Sequence, residues 1–260
     1  MIRLKNPKQI DGIRTSCVLL NRMFHDLIPL VKVGVETRDL DHWAQNFIRK
    51  AGARPAFLGY GSDSNPFPAA LCISVNDEVI HGIPSKRKIA SGDLVSLDCG
   101  IDLDGHISDK AVTVEVGEVS EEAKKLNAVT RECLYKGLQQ VKSGNRILQI
   151  SRAIHTHAVA HGYGVVHQYC GHGVGFSVHE DPQVPNHPRG PNPRMSEGLV
   201  LAIEPMINLG TGDVELLDDE WTVVTADGRW SAHWEHTVVV FKDHIEVLTE
   251  TDPPYGPGTV

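Results

Sequence analysis

The chain has 260 residues, of which 41% are hydrophobic and 22% charged, with a formal net charge of −8. That length supports a substantial core in one large or two small domains, and the composition is ordinary for a water-soluble globular protein. The acidic balance argues against a nucleic-acid partner held through phosphate contacts. Five cysteines (Cys17, Cys72, Cys99, Cys133, Cys170) are odd in number, widely spaced and without a Cys-x-x-Cys pair. This pattern suits a reducing cytoplasm better than a disulfide framework or a structural zinc finger. No stretch approaches the ~18–20 apolar residues of a membrane span, and the start, Met1-Ile2-Arg3-Leu4-Lys5, lacks the features of a signal peptide.

In chain order, the first predicted element is a helix from about Pro7 to Leu30, with Ile10, Ile13, Cys17, Leu20, Met23 and Leu27 on one face. Thr37 reads as the N-cap of a second helix that runs to about Ala51 and is stopped by Gly52. Gly59 to Ala70 resists regular structure, and Leu71 to Val75 reads as a short strand. Leu94 to Val116 reads as a hairpin around the turn Asp104-Gly105. Ser120-Glu121-Glu122 opens a helix to about Val141, and another runs from about Arg146 to His161, ended by Gly162. Asp181 to Pro193, with five prolines, reads as a loop of the kind that can border a site. Strands follow at Leu199 to Ile207, Trp221 to Thr225, Ala232 to Phe241 and Ile245 to Leu248. The order predicts an α+β fold with two similar halves, each setting strands beside a helix pair. Residues 1–250 are expected to form a single domain and residues 251–260 a flexible C-terminal tail.

The hairpin carries the strongest chemical signal. If Leu103 pairs with His106, Asp109 lies opposite Gly100, and Asp98 shares the face of Gly100 because side chains alternate. The two carboxylates are then diagonal neighbours with Cα atoms roughly 7–8 Å apart. Two anions so placed in a half-buried sheet require a shared proton or an intervening cation, and a metal is the economical answer. Glu204 closes the apolar strand Val200-Leu201-Ala202-Ile203, Glu235 lies in another apolar run, and His172 sits between Gly171 and Gly173. Alone, each has a bland explanation as a solvated or salt-bridged residue. Together, four carboxylates and one imidazole suit Mn, Fe, Co or Zn, and they exceed the need of one ion. Two ions roughly 3.5–4 Å apart accommodate them.

Other signals are weaker. Gly171 to Gly175 is not a dinucleotide fingerprint, since no βαβ unit supports it. His157 and His161 stand at i, i+4 with no intervening general-base Glu and read as surface or packing residues. Cys170 and His172 do not form a convincing nucleophile–base pair. Trp221 and Trp234 read as core, with Trp221 a candidate pocket wall.

Six segments in order carry a family resemblance: Cys72 to Pro84, the Asp98/Asp109 hairpin, Tyr169 to Gly175, Ile203-Glu204-Pro205-Met206, Asp219 to Val223 and Trp234-Glu235-His236-Thr237. Over roughly Ile2 to Leu248 the chain resembles the bacterial type I methionine aminopeptidases of the pita-bread fold, in the short form without a zinc-binding N-terminal extension. The resemblance implies a curved antiparallel sheet with helix pairs in two pseudo-symmetric halves. It implies removal of N-terminal Met from nascent proteins and peptides by two-metal hydrolysis with a bridging hydroxide. Two divalent ions (Co, Mn, Fe or Zn) would be held by Asp98, Asp109, His172, Glu204 and Glu235. Asp109 and Glu235 would bridge them, Asp98 would complete one shell, and His172 with Glu204 the other.

By the same resemblance, Glu204 shuttles the proton, His179 stabilises the tetrahedral oxyanion and His81 contacts the scissile peptide nitrogen. The substrate amine binds near Asp98. The methionine pocket is formed by Phe57, Tyr60, Phe67, Cys72, His81, Met206 and Trp221, which suits a flexible thioether. A monovalent cation is implied near Asn76 and Ser231. The chain departs from the family pattern at Phe57, where cysteine is common, at Val178, where Phe is familiar, and in the extra residues 61–66. Expected partners are N-termini of nascent polypeptides near the ribosome, with no specific nucleic-acid or membrane binding, and the expected state is a cytoplasmic monomer. The alternatives are a proline-specific peptidase of the same fold, a non-catalytic binding protein on the scaffold, and a carboxylate-rich phosphatase or nuclease.

Overall fold

The computed structural model describes residues 1–250; the expected flexible tail, 251–260, lies outside the described residues. Helix α1 (Pro7–Leu27) begins where the Asn6 side chain accepts a hydrogen bond from the Gln9 N–H while the Gln9 side chain accepts one from the Asn6 N–H. This reciprocal cap satisfies two otherwise orphaned donors. Its apolar face, Ile10, Ile13, Cys17, Leu20, Met23 and Leu27, is buried as the periodicity predicts. The α-helix ends at Leu27 and tightens into a 3-10 turn at Ile28–Leu30, because Pro29 has no N–H to continue the ladder. Helix α2 (Thr37–Lys50) is capped by Glu36 instead of Thr37. The Thr37 hydroxyl is committed elsewhere, accepting from the Ser85 N–H at 2.8 Å and reaching the Ser85 carbonyl at 3.2 Å.

Strand Leu94–Leu103 pairs antiparallel with Leu71–Val75, Arg54–Pro55 and His106–Glu115. The hairpin has the expected register: Leu103 opposite His106 and Gly100 opposite Asp109. Asp104 and Gly105 both take positive φ, as a tight two-residue turn requires. Helix α1 packs across both hairpin strands.

The second half repeats the plan. Helix α3 (Glu121–Leu138) starts with the Ser120 hydroxyl accepting from the Ala123 N–H, and it packs against α4 (Ile147–Ala160). The sheet beside them has the strand order Glu180–Pro185, Cys170–Gly173, Val200–Ile203, His236–Val240, Ile245–Val247. Glu180–Pro185 therefore corrects the loop expected from Asp181. It is an edge strand with a register shift between Glu180 and Val184, the position where a ladder tolerates prolines.

Two strands expected to be continuous are broken at one level. Val200–Ile203 and Met206–Asn208 are separated by Glu204 and Pro205, and Ser231–His233 and His236–Val240 by Trp234 and Glu235. Ile203 pairs with His236 on one side of the break and Met206 with His233 on the other. Both chains thus pass together from one sheet to the next, and each presents a carboxylate at the bend. Among the described residues, no helix is long and apolar enough to cross a membrane.

Candidate metal centre

The two halves meet along strand His106–Glu115. The Glu235 N–H donates to the Ala111 carbonyl at 2.9 Å. On one side of this bond, the Thr237 hydroxyl donates to the Asp109 carbonyl and accepts from the Asp109 N–H. On the other, the Thr113 hydroxyl donates to the His233 carbonyl and accepts from the His233 N–H. Hydroxyls at 237 and 113 replace the ladder bonds that the strand bend removes. They hold the backbones of Asp109 and Glu235 in fixed relation.

His172 joins the same place from strand Cys170–Gly173. That strand lies between two others, and a Cβ at Gly171 would meet the Ala202 carbonyl oxygen at 2.4 Å and one at Gly173 the Asp181 carbonyl oxygen at 2.3 Å. The glycines flanking His172 are therefore the price of close packing on both sides. His172 Nδ1 lies 2.9 Å from the Gly173 carbonyl, donating its proton and leaving Nε2 as a lone-pair donor. Nε2 stands 3.4 Å from Glu204 Oε1 and 3.9 Å from Asp109 Oδ2. One donor atom each from Asp109, His172 and Glu235 lie within 4.8 Å of one another, and all three residues are buried. Asp98 and Glu204, partly open to the cleft, line the same cavity.

The electrostatics of this cluster are unfavourable as it stands. Burial, opposed by His233 and reinforced by Glu204, pushes the Asp98 carboxyl up to about 7, and burial pushes Glu204 up to about 8. Asp109 and Glu235 are raised well above the usual carboxylate range by burial and then by their carboxylate neighbours. His172 falls to about 3, by burial and the nearby His179 ring. Among the described residues, Asp98 Oδ1 and Glu235 Oε1 are buried without a hydrogen-bond partner. Buried acceptors crowding one another without donors are the arrangement that a divalent cation resolves. The residues fit such an ion.

A cleft of about 530 Å³ opens onto the cluster, lined also by Phe57, Tyr60, Phe67, Cys72, His81, Val178, His179 and Trp221. Cys72 faces Asp98 across the strand pair. A Cβ at Gly100 would come within 2.8 Å of the Phe57 ring, so the bare backbone at 100 admits Phe57 to the cleft wall. Phe67 meets Trp221 edge-on at 5.2 Å, and the His81 ring meets Tyr169 at 5.7 Å. His81 takes a left-handed backbone, φ 58°, a sparsely populated conformation for a non-glycine residue that the surrounding fold must hold. Burial and the His179 and His233 rings depress His81 to about 4, so it is neutral at physiological pH.

Residues 61–66 form a small turn, Gly61–Ser62 pairing with Asn65–Pro66, beside the cleft. At its start the Tyr60 hydroxyl lies 2.6 Å from His179 Nδ1. From the other side, Glu180 accepts the Phe176 and Ser177 N–H groups and pairs with buried Lys5 at 2.6 Å. The loop carrying Val178 and His179 is therefore held at both ends.

Met206 alone among the expected pocket residues is placed elsewhere. It is fully buried with Val79, Ile80, Val166 and Val223, because the bend at Glu204-Pro205 carries it into the adjoining sheet. Asn76 and Ser231 do come together, with the Ser231 N–H donating to the Asn76 carbonyl at 2.8 Å. Sequence reasoning missed Asn186, whose side chain donates to the Glu204 carbonyl at 2.9 Å. It also missed His233, whose Nε2 is 3.5 Å from Glu204 Oε2, and the hydroxyls of Thr113 and Thr237. For the two threonines the available signal was a polar residue inside an otherwise apolar strand.

Metallopeptidase family M24 matches residues 11–242. A methionine aminopeptidase of Treponema pallidum is 56% identical over 252 residues, covering 96% of this chain and 97% of that protein. The crystal structure of a methionine aminopeptidase from Thermotoga maritima superposes with a TM-score of 0.92 at 38% identity, over 96% of this chain and all of that one. A prolidase from Pyrococcus furiosus shares the fold, with a TM-score of 0.78 at 22% identity, over 95% of this chain and 65% of that one. The architecture is thus the pita-bread fold, and the chain belongs to metallopeptidase family M24 and, within it, to the methionine aminopeptidases, metal-dependent hydrolases.

Proposed function

We propose that the chain removes N-terminal Met from nascent proteins and peptides, with two divalent ions (Co, Mn, Fe or Zn) held by Asp98, Asp109, His172, Glu204 and Glu235. Asp109 and Glu235 would be shared between the ions, Asp98 would complete one set, and His172 with Glu204 the other. The observation that carries this reading is the convergence of four carboxylates and one imidazole with orphaned buried oxygens at the floor of an apolar cleft. When bound, the ions lower the pKa of water held between them and polarise the substrate carbonyl.

The chain's own groups do the rest. Glu204 takes the proton of the attacking water and returns it to the leaving amine nitrogen. With the Tyr60 hydroxyl donating to His179 Nδ1, 2.6 Å away, the ring proton would stand on Nε2. That N–H points its positive end at the carbonyl oxygen on which negative charge develops. Neutral His81 meets the scissile peptide nitrogen. Phe57, Tyr60, Phe67, Cys72, His81 and Trp221, with Val178, hold the Met side chain, while Met206 takes no part. The free amine lies near Asp98, which restricts cleavage to the first residue.

Residues 1–250 constitute the catalytic domain. A monovalent cation would be held by backbone oxygens near Asn76 and Ser231, which the Ser231 N–H to Asn76 carbonyl bond brings together. The enzyme acts as a cytoplasmic monomer on chains emerging from the ribosome.

The test is metal analysis of protein purified without added metal, paired with cleavage of Met-Ala-Ser. Metal-dependent release of Met is expected, with Leu or Pro in first position cleaved far more slowly. Full activity in Glu204→Ala or His172→Ala protein after chelation and metal repletion would sink the reading. Comparable rates on Xaa-Pro peptides would favour a proline-specific peptidase.

A further inference from the structure

On the outer helix pair, away from the cleft, three ligand-type side chains meet. We propose that Glu132, His157 and His161 form an auxiliary metal site that takes one borderline divalent cation, such as Zn, Ni, Cu or Co, and ties α4 to α3. His157 and His161 are one turn apart at the C-terminal end of α4, the spacing that puts two side chains on one helix face. Glu132 reaches them from α3. Glu132 Oε2 is 2.7 Å from His157 Nε2, the two imidazole centroids are 4.8 Å apart, and one donor atom of each residue lies within 4.8 Å of the other two. Around an ion with bonds of about 2.0–2.2 Å, tetrahedral donors are separated by about 3.3–3.6 Å. Small rotations of three side chains therefore suffice to close a shell.

A plain ion pair between Glu132 and His157 accounts for two of the three residues. It does not account for His161, which follows the last helical residue and is exposed. Its ring nevertheless lies edge-on to His157 and nearly parallel to Tyr163, 19° between planes at 6.4 Å. The His157 side chain is 19% exposed and supplies the fixed ligand, and Glu132 at 55% leaves the remaining coordination positions to water. Two imidazoles with one carboxylate favour borderline ions over Mg or Ca, in contrast to the carboxylate-rich cleft. None of the three residues lines the cleft, so the site goes beyond the function proposed above and stands or falls separately from it.

The test titrates zinc chloride into the full chain by equilibrium dialysis, comparing wild type with His161→Gln and Glu132→Gln. Both substitutions are at exposed positions and leave the fold in place. The wild type should bind one more zinc per chain than His161→Gln, whatever number the cleft holds, and Glu132→Gln should weaken that extra site on the order of tenfold. Zinc should also raise the melting temperature of the wild type more than that of His161→Gln. Met-Ala-Ser cleavage should stay within about twofold in both variants. Equal zinc stoichiometry and affinity in wild type and both variants would overturn the proposal, and so would loss of the extra ion together with loss of peptide cleavage.

Discussion

Asp109 and Lys110 are neighbours on one strand, both fully buried, on opposite faces of the sheet, and the two faces treat charge differently. On the outer face Lys110 Nζ donates to Asn21 Oδ1 and to the Thr249 carbonyl, both at 2.8 Å, and lies 5.4 Å from the Phe24 ring centroid. Burial lowers it to about 7, yet the chain itself supplies neutral oxygens for the ammonium. On the inner face Asp109 meets Asp98, Glu204 and Glu235: burial comes first, then Asp98 and Glu204 raise the affinity of Asp109 for protons, and all three raise that of Glu235. The chain there offers few donors and leaves oxygens orphaned. Charge that serves the fold is satisfied from within, whereas charge that serves the proposed chemistry is left for ions from outside.

The sharpest way to break this contrast is to remove a group from the inner face. Glu204→Ala should lower kcat/KM on Met-Ala-Ser on the order of 10³-fold or more, about 4 kcal/mol, with most of the loss in kcat. Near wild-type turnover would mean that the cluster is not the reacting centre.

Stability of the metal-free protein comes next. A carboxyl whose folded pKa is raised contributes stability that is present at low pH and lost as pH rises through the folded value. In Lys110→Met protein, free of the opposing titration of Lys110 at about 7, Asp98, at about 7, and Glu204, at about 8, therefore weaken the metal-free fold between pH 6.5 and 8.5, above the range in which His81 and His172 titrate. A fall in melting temperature of about 5–10 °C across that window is expected. Saturating Mn or Co should flatten it. Differential scanning calorimetry with and without metal makes the comparison, and a metal-free curve that rises with pH would contradict the sign.

The outer face should respond in stability alone. Lys110→Met leaves the Asn21 and Thr249 oxygens without their donor and should lower the melting temperature by about 5 °C. Its metal content, read by atomic emission, should equal that of the wild type. A smaller effect is expected from Tyr60→Phe, which keeps the ring but drops the hydrogen bond to His179. It should reduce kcat about tenfold and leave KM for Met-Ala-Ser near its wild-type value. A change confined to KM would assign Tyr60 to the pocket only.

Much of the hairpin was legible because two independent signals agreed. Asp104-Gly105 sets the turn and period-2 alternation sets the face, so the register that places Asp109 opposite Gly100 follows from local rules. Glu204 and Glu235 were legible as polar residues in apolar runs, but their strands read as continuous, because a bend shared by two paired strands leaves only Pro205 as a local mark. Met206 was misplaced for that reason. The edge strand Glu180–Pro185 was hidden by its prolines, which a ladder accepts only where its outer side is free. Asn186 and His233 carried no local signal, since their roles lie in contacts with Glu204 from other segments.

The sequence by itself determined the four long helices, the aspartate register, the donor types and the family, because periodicity, turn chemistry and motif order are properties of neighbouring residues. Only the tertiary structure decided that two strands bend together at Glu204 and Glu235, that Thr113 and Thr237 bind the two halves across strand His106–Glu115, and that Tyr60 meets His179. Those contacts join residues more than a hundred positions apart. Hydrogen bonds of that range depend on how two sheets pack, and no local pattern in the chain encodes it.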